Sequence, residues 1–351
     1  MDLNNIQWGE FEIRNEFFVK NSKAYHKTEL EEAKNIGISY VSRTNLNNGV
    51  ESIVKIGDFK FNKENTIVFG AENATFFYQP NKYITGNKMY YIEMENLNQY
   101  SGLFIQMMLN NSIVGCGFGY GKGLIGSRVE KRCILLPINS IGQPDYAFME
   151  QYMRYKEQEK ITKYNRYITK RIESFKDFID VKPFNEIEWG EFFLEDVLNI
   201  KAGKRLIKAD MKEGEIPFIG ASDSNNGITN YISNTNSSLD SNVLGVNYNG
   251  SVAENFYHPY KAIFSDDVKR LSLKDVNGNE FLYLFVKTII LKQKSKFQYA
   301  YKFNEARMLR QKLLFPINEQ GKIDYSYMEN YIKKLEYDKL TKYLAFKTPV
   351  N

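Results

Sequence analysis

From Asp145 toward Phe178, apolar or aromatic residues recur every three or four positions. They stand at Met149, Tyr152, Ile161, Tyr164, Ile168, Ile172, Phe175 and Phe178, with Lys, Arg, Glu and Gln between them. That period predicts one long amphipathic helix, capped by Asp145 after Gly142 and Pro144. Thirty-odd residues would make a rod of about 50 Å. A second stretch with the same period starts at Asp324, passes Met328, Ile332, Leu335, Leu340 and Tyr343, and ends near Lys347 ahead of Pro349. A lone helix of this length leaves its apolar stripe uncovered, so the two are expected to pair antiparallel.

The rest of the chain changes period. Residues 1 to about 143 read as mixed α+β, with short strands expected at Ile38–Val41, Thr66–Phe69, Thr75–Tyr78, Met89–Glu93 and Cys133–Leu136, the last stopped by Pro137. Turns rich in Asn and Gly separate them, and a helix is expected at Gln99–Leu109. Residues 183 to about 322 read the same way, with strands near Ile216–Gly220, Asn242–Asn247 and Val268–Leu273 and a helix at Glu280–Leu291.

These two halves are copies. The segment from Ile134 to Tyr164 returns from Leu313 to Tyr343 at an offset of 179 residues. Pro137, Ile138, Asn139, Gly142, Asp145, Tyr146, Met149, Glu150 and Tyr152 return as Pro316, Ile317, Asn318, Gly321, Asp324, Tyr325, Met328, Glu329 and Tyr331. Upstream, IQWGEF returns as IEWGEF, Asn47-Asn48-Gly49 as Asn225-Asn226-Gly227, and FYQP as FYHP. A unit this large is a domain rather than a solenoid repeat.

Composition narrows the class only slightly. The 351 residues are 43% hydrophobic and 25% charged, with 25 Phe and 25 Tyr, an ordinary globular balance. A net charge of +5 permits an anionic partner without requiring one. Cys116 and Cys133 form no paired motif, and the N-terminus carries no secretory pattern. No apolar run is long enough to cross a bilayer, so a soluble, cytoplasmic location is expected.

Two similar heads on a stiff spacer suit a ligand with two half-sites, and a DNA duplex is the commonest such ligand. Here the sequence resembles a known family. A variable block closed by Tyr120-Gly121-Lys122, Arg128, Leu135 to Asn139, Gly142, Asp145-Tyr146 and Phe148 to Tyr152, present twice, is similar to the specificity (S) subunits of Type I and Type IIB restriction–modification systems, and leans toward the Type IIB-like branch. The resemblance covers essentially the whole chain. It implies two tandem α+β target recognition domains, each followed by a long helix, with the helices paired as an antiparallel coiled coil of pseudo-twofold symmetry. The expected bounds are 1–143 and 183–322 for the recognition domains, 144–182 and 323–351 for the spacer helices. The resemblance further implies a non-catalytic subunit that reads a bipartite double-stranded DNA target and docks DNA methyltransferase, or fused methyltransferase–nuclease, subunits. No cofactor is expected on this chain, S-adenosylmethionine belonging to the partner. The second copy departs at Tyr301-Lys302, which lacks the glycine of Tyr120-Gly121-Lys122, while Arg307 matches Arg128.

Arg reads guanine and Asn reads adenine by paired hydrogen bonds at base edges. Arg43, Asn45, Asn47 and Asn48 on one loop, and Ser222, Asp223, Asn225 and Asn226 on its counterpart, are therefore candidate base contacts, although Asn-Asn-Gly is also plain turn chemistry. Asn247, Tyr248 and Asn249 could present amides and a hydroxyl to bases or phosphates. Lys122, Arg128, Lys204, Arg205, Lys302 and Arg307 are candidate phosphate contacts, with a solvated cation as the plainer alternative. Partner docking is expected on the helix faces carrying Glu150, Arg154, Glu157, Glu329 and Lys333.

Other chemistries are weaker. The run GCGFGYGKG has no strand–loop–helix context, and its counterpart FQYAYKFNEA has almost no glycine, which argues against a cofactor loop. No Asn/Asp-Pro-Pro-Tyr/Phe motif is present. Asp266-Asp267-Val268-Lys269 resembles a nuclease cluster but has no acidic counterpart in the first copy. His26 and His258 stand too far apart to suggest a triad or a metal site. A two-headed adhesive or carbohydrate-binding module is the competing function, and it predicts binding that salt does not weaken.

Overall fold

The computed structural model describes residues 2–175, 180–297 and 302–347. Phe178, Pro349 and residues 298–301 of the FQYAYKFNEA segment lie outside them. The chain forms two compact units, Met1–Tyr164 and Asn165–Asn351.

The first unit runs β1 (Trp8–Glu12), α1 (Ile13–Glu16), β2 (Phe18–Asn21), β3 (Ile38–Val41), β4 (Val50–Val54), β5 (Thr66–Gly70), β6 (Phe76–Gln79), β7 (Tyr83–Thr85), β8 (Met89–Glu93), α2 (Gln99–Ser112), α3 (Gly126–Glu130), β9 (Cys133–Pro137) and α4 (Tyr146–Glu173), which continues past Tyr164. Its sheets have the orders β2-β8-β5-β6, β4-β3-β7 and β1-β9. The second unit repeats this with β10 (Trp189–Phe193), α5 (Leu194–Val197), β11 (Leu198–Ala202), β12 (Glu213–Ile219), β13 (Ile228–Ile232), β14 (Val243–Asn247), β15 (Asn255–His258), β16 (Ile263–Phe264), β17 (Val268–Leu273), α6 (Glu280–Leu291), α7 (Glu305–Leu309), β18 (Lys312–Pro316) and α8 (Tyr325–Lys347). Its sheets are ordered β11-β17-β14-β15, β13-β12-β16 and β10-β18, strand for strand the same plan. The mixed α+β class and the two long helices match the expectation from sequence.

The repeated IQWGEF and IEWGEF segments are strands that close each unit. Trp8 stands opposite Pro137 and Trp189 opposite Pro316. The proline therefore ends the ladder rather than preceding it, a position that needs no N–H in a two-stranded ribbon. Helix α2 lays Phe104, Ile105 and Leu109 against the sheet, all fully buried. Helix α6 does the same with Phe285, Val286 and Ile290. Each such side chain contributes about 1.5–3 kcal/mol by leaving water.

The repeated Pro-Ile-Asn-x-x-Gly-x-x-Asp segment is a strand-to-helix turn. Asn139 Oδ1 accepts from the backbone N–H of Ile141 and Gln143 at 3.1 and 3.0 Å. Gly142 takes φ +79°, which glycine adopts without strain. Asp145 Oδ1 then caps α4 by accepting from Phe148 N at 2.9 Å. Asn318, Gly321 and Asp324 repeat each contact, with the Asp324 cap on Tyr327 N at 2.8 Å.

Two expectations need correction. Helix α4 has 28 residues, about 42 Å at 1.5 Å per residue, shorter than the rod of about 50 Å. It stops at Glu173 because Ser174 turns back: its N–H is shared between Lys170 O and Arg171 O, and its hydroxyl donates to Arg171 O at 2.6 Å. Strand β6 starts at Phe76 rather than Thr75, since Ala74 takes φ +47° and the Thr75 hydroxyl donates within the preceding turn.

Candidate nucleic-acid interface

In the first unit the connections after β3, β5 and β7 meet. Asn47, Asn48 and Gly49 take φ +49°, +56° and +77°, a left-handed run suited to Asn and Gly. Asn48 Nδ2 donates to Tyr78 O at 2.8 Å, and Gln79 Nε2 donates to Asn48 O at 2.9 Å. The turn is thus pinned to β6. In the second unit Asn225 and Asn226 take φ +49° and +53°. Their amides donate to Ile228 O at 3.0 Å and to the Tyr260 hydroxyl at 2.9 Å. The amides of Asn48, Asn225 and Asn226 hold their own turns, the role set out as the plainer alternative to base reading.

Arg43 is placed differently. It pairs with Glu72, which also accepts from Lys88 at 2.6 Å. The hydrogen bond from Lys88, with the nearby Arg43 charge, holds the Glu72 carboxyl below the usual range. Asn45 Oδ1 accepts from Asn73 and from Thr75, each at 3.0 Å. An open, polar cavity of about 740 Å³ lies here, lined by Arg43, Glu72, Asn73, Tyr25, His26, Lys27 and Glu51 among others. Arginine and carboxylate side by side on loops are groups that recognise base edges.

The glycine run folds on itself. Gly119 and Lys122 exchange backbone bonds at 3.1 Å, Lys122 Nζ donates to Cys116 O at 3.0 Å, and Leu124 N donates to Ala71 O at 2.7 Å. Arg128 donates to Gly123 O at 2.5 Å, and Arg307 donates to Lys302 O at 2.6 Å. The two matching arginines brace the loop ahead of a short helix in each unit. This accounts for their matching places in the repeat.

In the second unit Asn247 is buried, at 1% exposure, and donates to Ser222 O at 2.9 Å. It presents nothing to a ligand, which corrects the expectation. The short β-strand ending there turns it inward. Tyr248 is half-buried with Lys269 5.5 Å from its ring, and burial raises its hydroxyl pKa. Asn249 donates to Asp267 at 2.9 Å, and Arg205 stands 3.6 Å from Asp266. The two aspartates are thus engaged with Asn249 and Arg205. Among the described residues no group of three or more His, Cys, Asp or Glu is arranged to hold a metal ion. Lys204, Arg205 and Asp223 are exposed.

The residues expected to dock a partner also make bonds within their own domain. Glu150 pairs with Arg154 at 2.7 Å and accepts from Asn98 at 2.7 Å. Arg154 lies 4.0 Å from the Tyr100 ring, and the Tyr100 hydroxyl donates to Glu157 at 2.9 Å. In the second unit Glu329 pairs with Lys333 at 2.6 Å and accepts from Asn279 at 2.9 Å, with Lys333 5.2 Å from the Phe281 ring. A further ion cluster joins Arg171 to Glu336 and Glu280, each at 2.7 Å, inside the second unit. Sequence reading passed over Glu72, Lys88, Asn98, Asn279 and Arg171. Only Asn98 and Asn279 carried a signal, since both stand as an Asn directly before a helix.

Known proteins give the arrangement its context. The Type I restriction modification DNA specificity domain matches residues 5–166 and again 186–343. The specificity subunit S.BcgI of a Type II restriction enzyme from Heyndrickxia coagulans is 39% identical over 340 residues, covering 95% of this chain and 96% of that protein. The crystal structure of a Type I restriction–modification S subunit from M. genitalium covers 99% of this chain and 94% of its own, with a TM-score of 0.56 and 17% identity, a likeness of fold. The chain belongs to the Type I restriction–modification DNA specificity domain family and carries that domain twice.

Proposed function

We propose that this chain reads a bipartite DNA duplex, one half-site with each unit, and delivers it to methyltransferase or methyltransferase–nuclease subunits docked on the long helices. The carrying observation is the duplicated frame with unlike rims. The strand orders agree in the two units, while Arg43 and Asn45 of the first correspond to Ala221 and Asp223 of the second, and Glu72, bonded to Lys88, corresponds to Asn249, bonded to Asp267. Two copies of one scaffold with different loop chemistry suit two different short sequences.

In this reading residues 1–143 and 183–322 are the recognition domains, and 144–182 and 323–351 are the spacers, paired with one another. Arg43 and Asn45, with Ser222, Asp223 and Asn249, contact base edges. Lys122, Lys204, Arg205 and Lys302 contact phosphates, so binding weakens steeply with salt. Catalysis and S-adenosylmethionine belong to the partner. Docking uses the exposed sides of the long helices, where Arg154 keeps more than half of its side chain in solvent. Nothing in the fold or the likenesses favours an adhesive module.

The test removes seven residues, about two turns, from each long helix beyond Arg154 and Lys333. The reading expects a changed gap between unchanged half-sites. An unchanged gap excludes the helices as spacers.

A further inference from the structure

Asn98 and Asn279 each perform two tasks with one side chain. The oxygen caps a helix. Asn98 Oδ1 accepts from Tyr100 N and Ser101 N at 2.9 and 3.1 Å, and Asn279 Oδ1 accepts from Phe281 N and Leu282 N at 3.1 and 3.0 Å. The nitrogen leaves the domain's globular part and reaches a glutamate on the long helix, Glu150 at 2.7 Å and Glu329 at 2.9 Å. One turn further along, the cation paired with that glutamate covers the aromatic ring two residues beyond the Asn: Arg154 on Tyr100, Lys333 on Phe281.

The side chains have drifted, Arg to Lys and Tyr to Phe, but the construction is the same in both units. Each recognition domain is joined to its helix covalently at one end, through the turn of Asn139 and Asp145 or of Asn318 and Asp324. Apolar contacts add Phe104 on Tyr152 and Phe285 on Tyr331, with ring centroids 5.8 and 6.0 Å apart. Such contacts are not directional. A charge-assisted hydrogen bond is directional, and it supplies the second fixed point that a body hinged at one end needs to stop swinging.

We propose that the Asn98–Glu150 and Asn279–Glu329 bonds are positioning contacts that set how strictly the protein measures the gap between half-sites. The inference rests on the bipartite reading above. The bonds touch no base, so they govern tolerance to gap length and leave each half-site sequence alone.

Aspartate separates the two tasks. It keeps the capping oxygen and replaces the donor with a carboxylate facing Glu150 or Glu329. The full-length chain, wild type and with Asn98→Asp and Asn279→Asp, is used to select from a duplex library randomised over a long central segment, and the bound DNA is sequenced. The wild type enriches two half-sites at one gap. The variant enriches the same half-sites, with severalfold more occupancy at gaps one base pair longer or shorter. Adding Glu150→Gln and Glu329→Gln restores a donor across each contact and narrows the gap again. If an aspartate variant fails to fold, Glu150→Ala with Glu329→Ala alone removes the acceptors from the other side and must broaden the gap. A gap distribution as sharp as the wild type in folded variants overturns the proposal. A wild-type chain that enriches no two-part motif instead overturns the bipartite reading, and this inference with it.

Discussion

The side-chain amide of Asn98 donates to the carboxylate of Glu150 over 2.7 Å while the same residue's oxygen caps α2. Cap and bond separate by substitution. Asn98→Ala loses both, and Asn98→Ser keeps a capping oxygen but loses the amide. Asn98→Ala is expected to destabilise the first unit by about 1 kcal/mol more than Asn98→Ser, the usual worth of a cap. Denaturant unfolding followed by Trp8 fluorescence, in a Trp189→Phe background, measures the difference. Equal midpoints would show that the cap contributes nothing.

Arg171 makes paired bonds to Glu336, at 2.7 and 3.0 Å, and a third to Glu280 at 2.7 Å. The Phe175 and Phe281 rings lie 4.9 and 5.3 Å away. Hydrogen bonding to Glu336 does most to raise the guanidinium pKa. Arg171→Ala strands two carboxylates and is expected to destabilise the second unit by about 1–3 kcal/mol. Trp189 fluorescence in a Trp8→Phe background reads it. Arg171→Lys recovers only part, because an ammonium cannot reproduce the paired geometry.

His258 is fully buried in β15, and its Nε2 has no hydrogen-bond partner among the described residues. Burial, then the charge of Lys287, pushes its pKa down from 6.5 to about 4. In the unfolded chain the imidazole takes a proton near pH 6.5. Between pH 6.5 and about 4 the unfolded state therefore binds more protons, so stability is whole above that window and is lost as pH falls through it. The loss is on the order of 3 kcal/mol. The first unit has Gln79 at the corresponding place. His258→Gln is expected to flatten the acid limb of a stability-against-pH curve for the second unit. Identical limbs in variant and wild type would contradict it.

The basic candidates divide by what they touch. Lys204 is exposed, and Lys204→Ala is expected to lower the slope of log affinity against log salt by about 1. Arg128 braces Gly123 O. Arg128→Ala is expected to lower the melting temperature of the first unit and to leave the slope alone. Titration of DNA binding at several salt concentrations, beside thermal melts, separates the two.

Periodic segments were legible in the sequence, and tertiary partners were not. Helix α6 and strands β3, β8 and β17 fall on their predicted bounds, because a turn residue, Gly37, Asn87, Asp267 or Asn279, stands just ahead of each. Strands β1 and β10 were visible only as repeated words. Five residues carry too little alternation, and the partner of Trp8 is Pro137, far along the chain. The Asn-Asn-Gly turns show why residue type alone misleads at the site. Asn suits base reading and left-handed backbone equally, and only the position of Tyr78 and Tyr260 reveals that the amides are already used. Asn247 failed for a related reason: a polar residue closing an apolar strand reads as exposed until the carbonyl of Ser222 is found above it.

The central claim, that one chain reads two half-sites for a methyltransferase, is tested most directly by modified-base sequencing of the source genome with and without this gene. The account predicts that a split motif, two short sequences around a fixed gap, is methylated in the parent and unmethylated in the deletion strain. An unchanged methylome, with the partner methyltransferase still expressed, would contradict it.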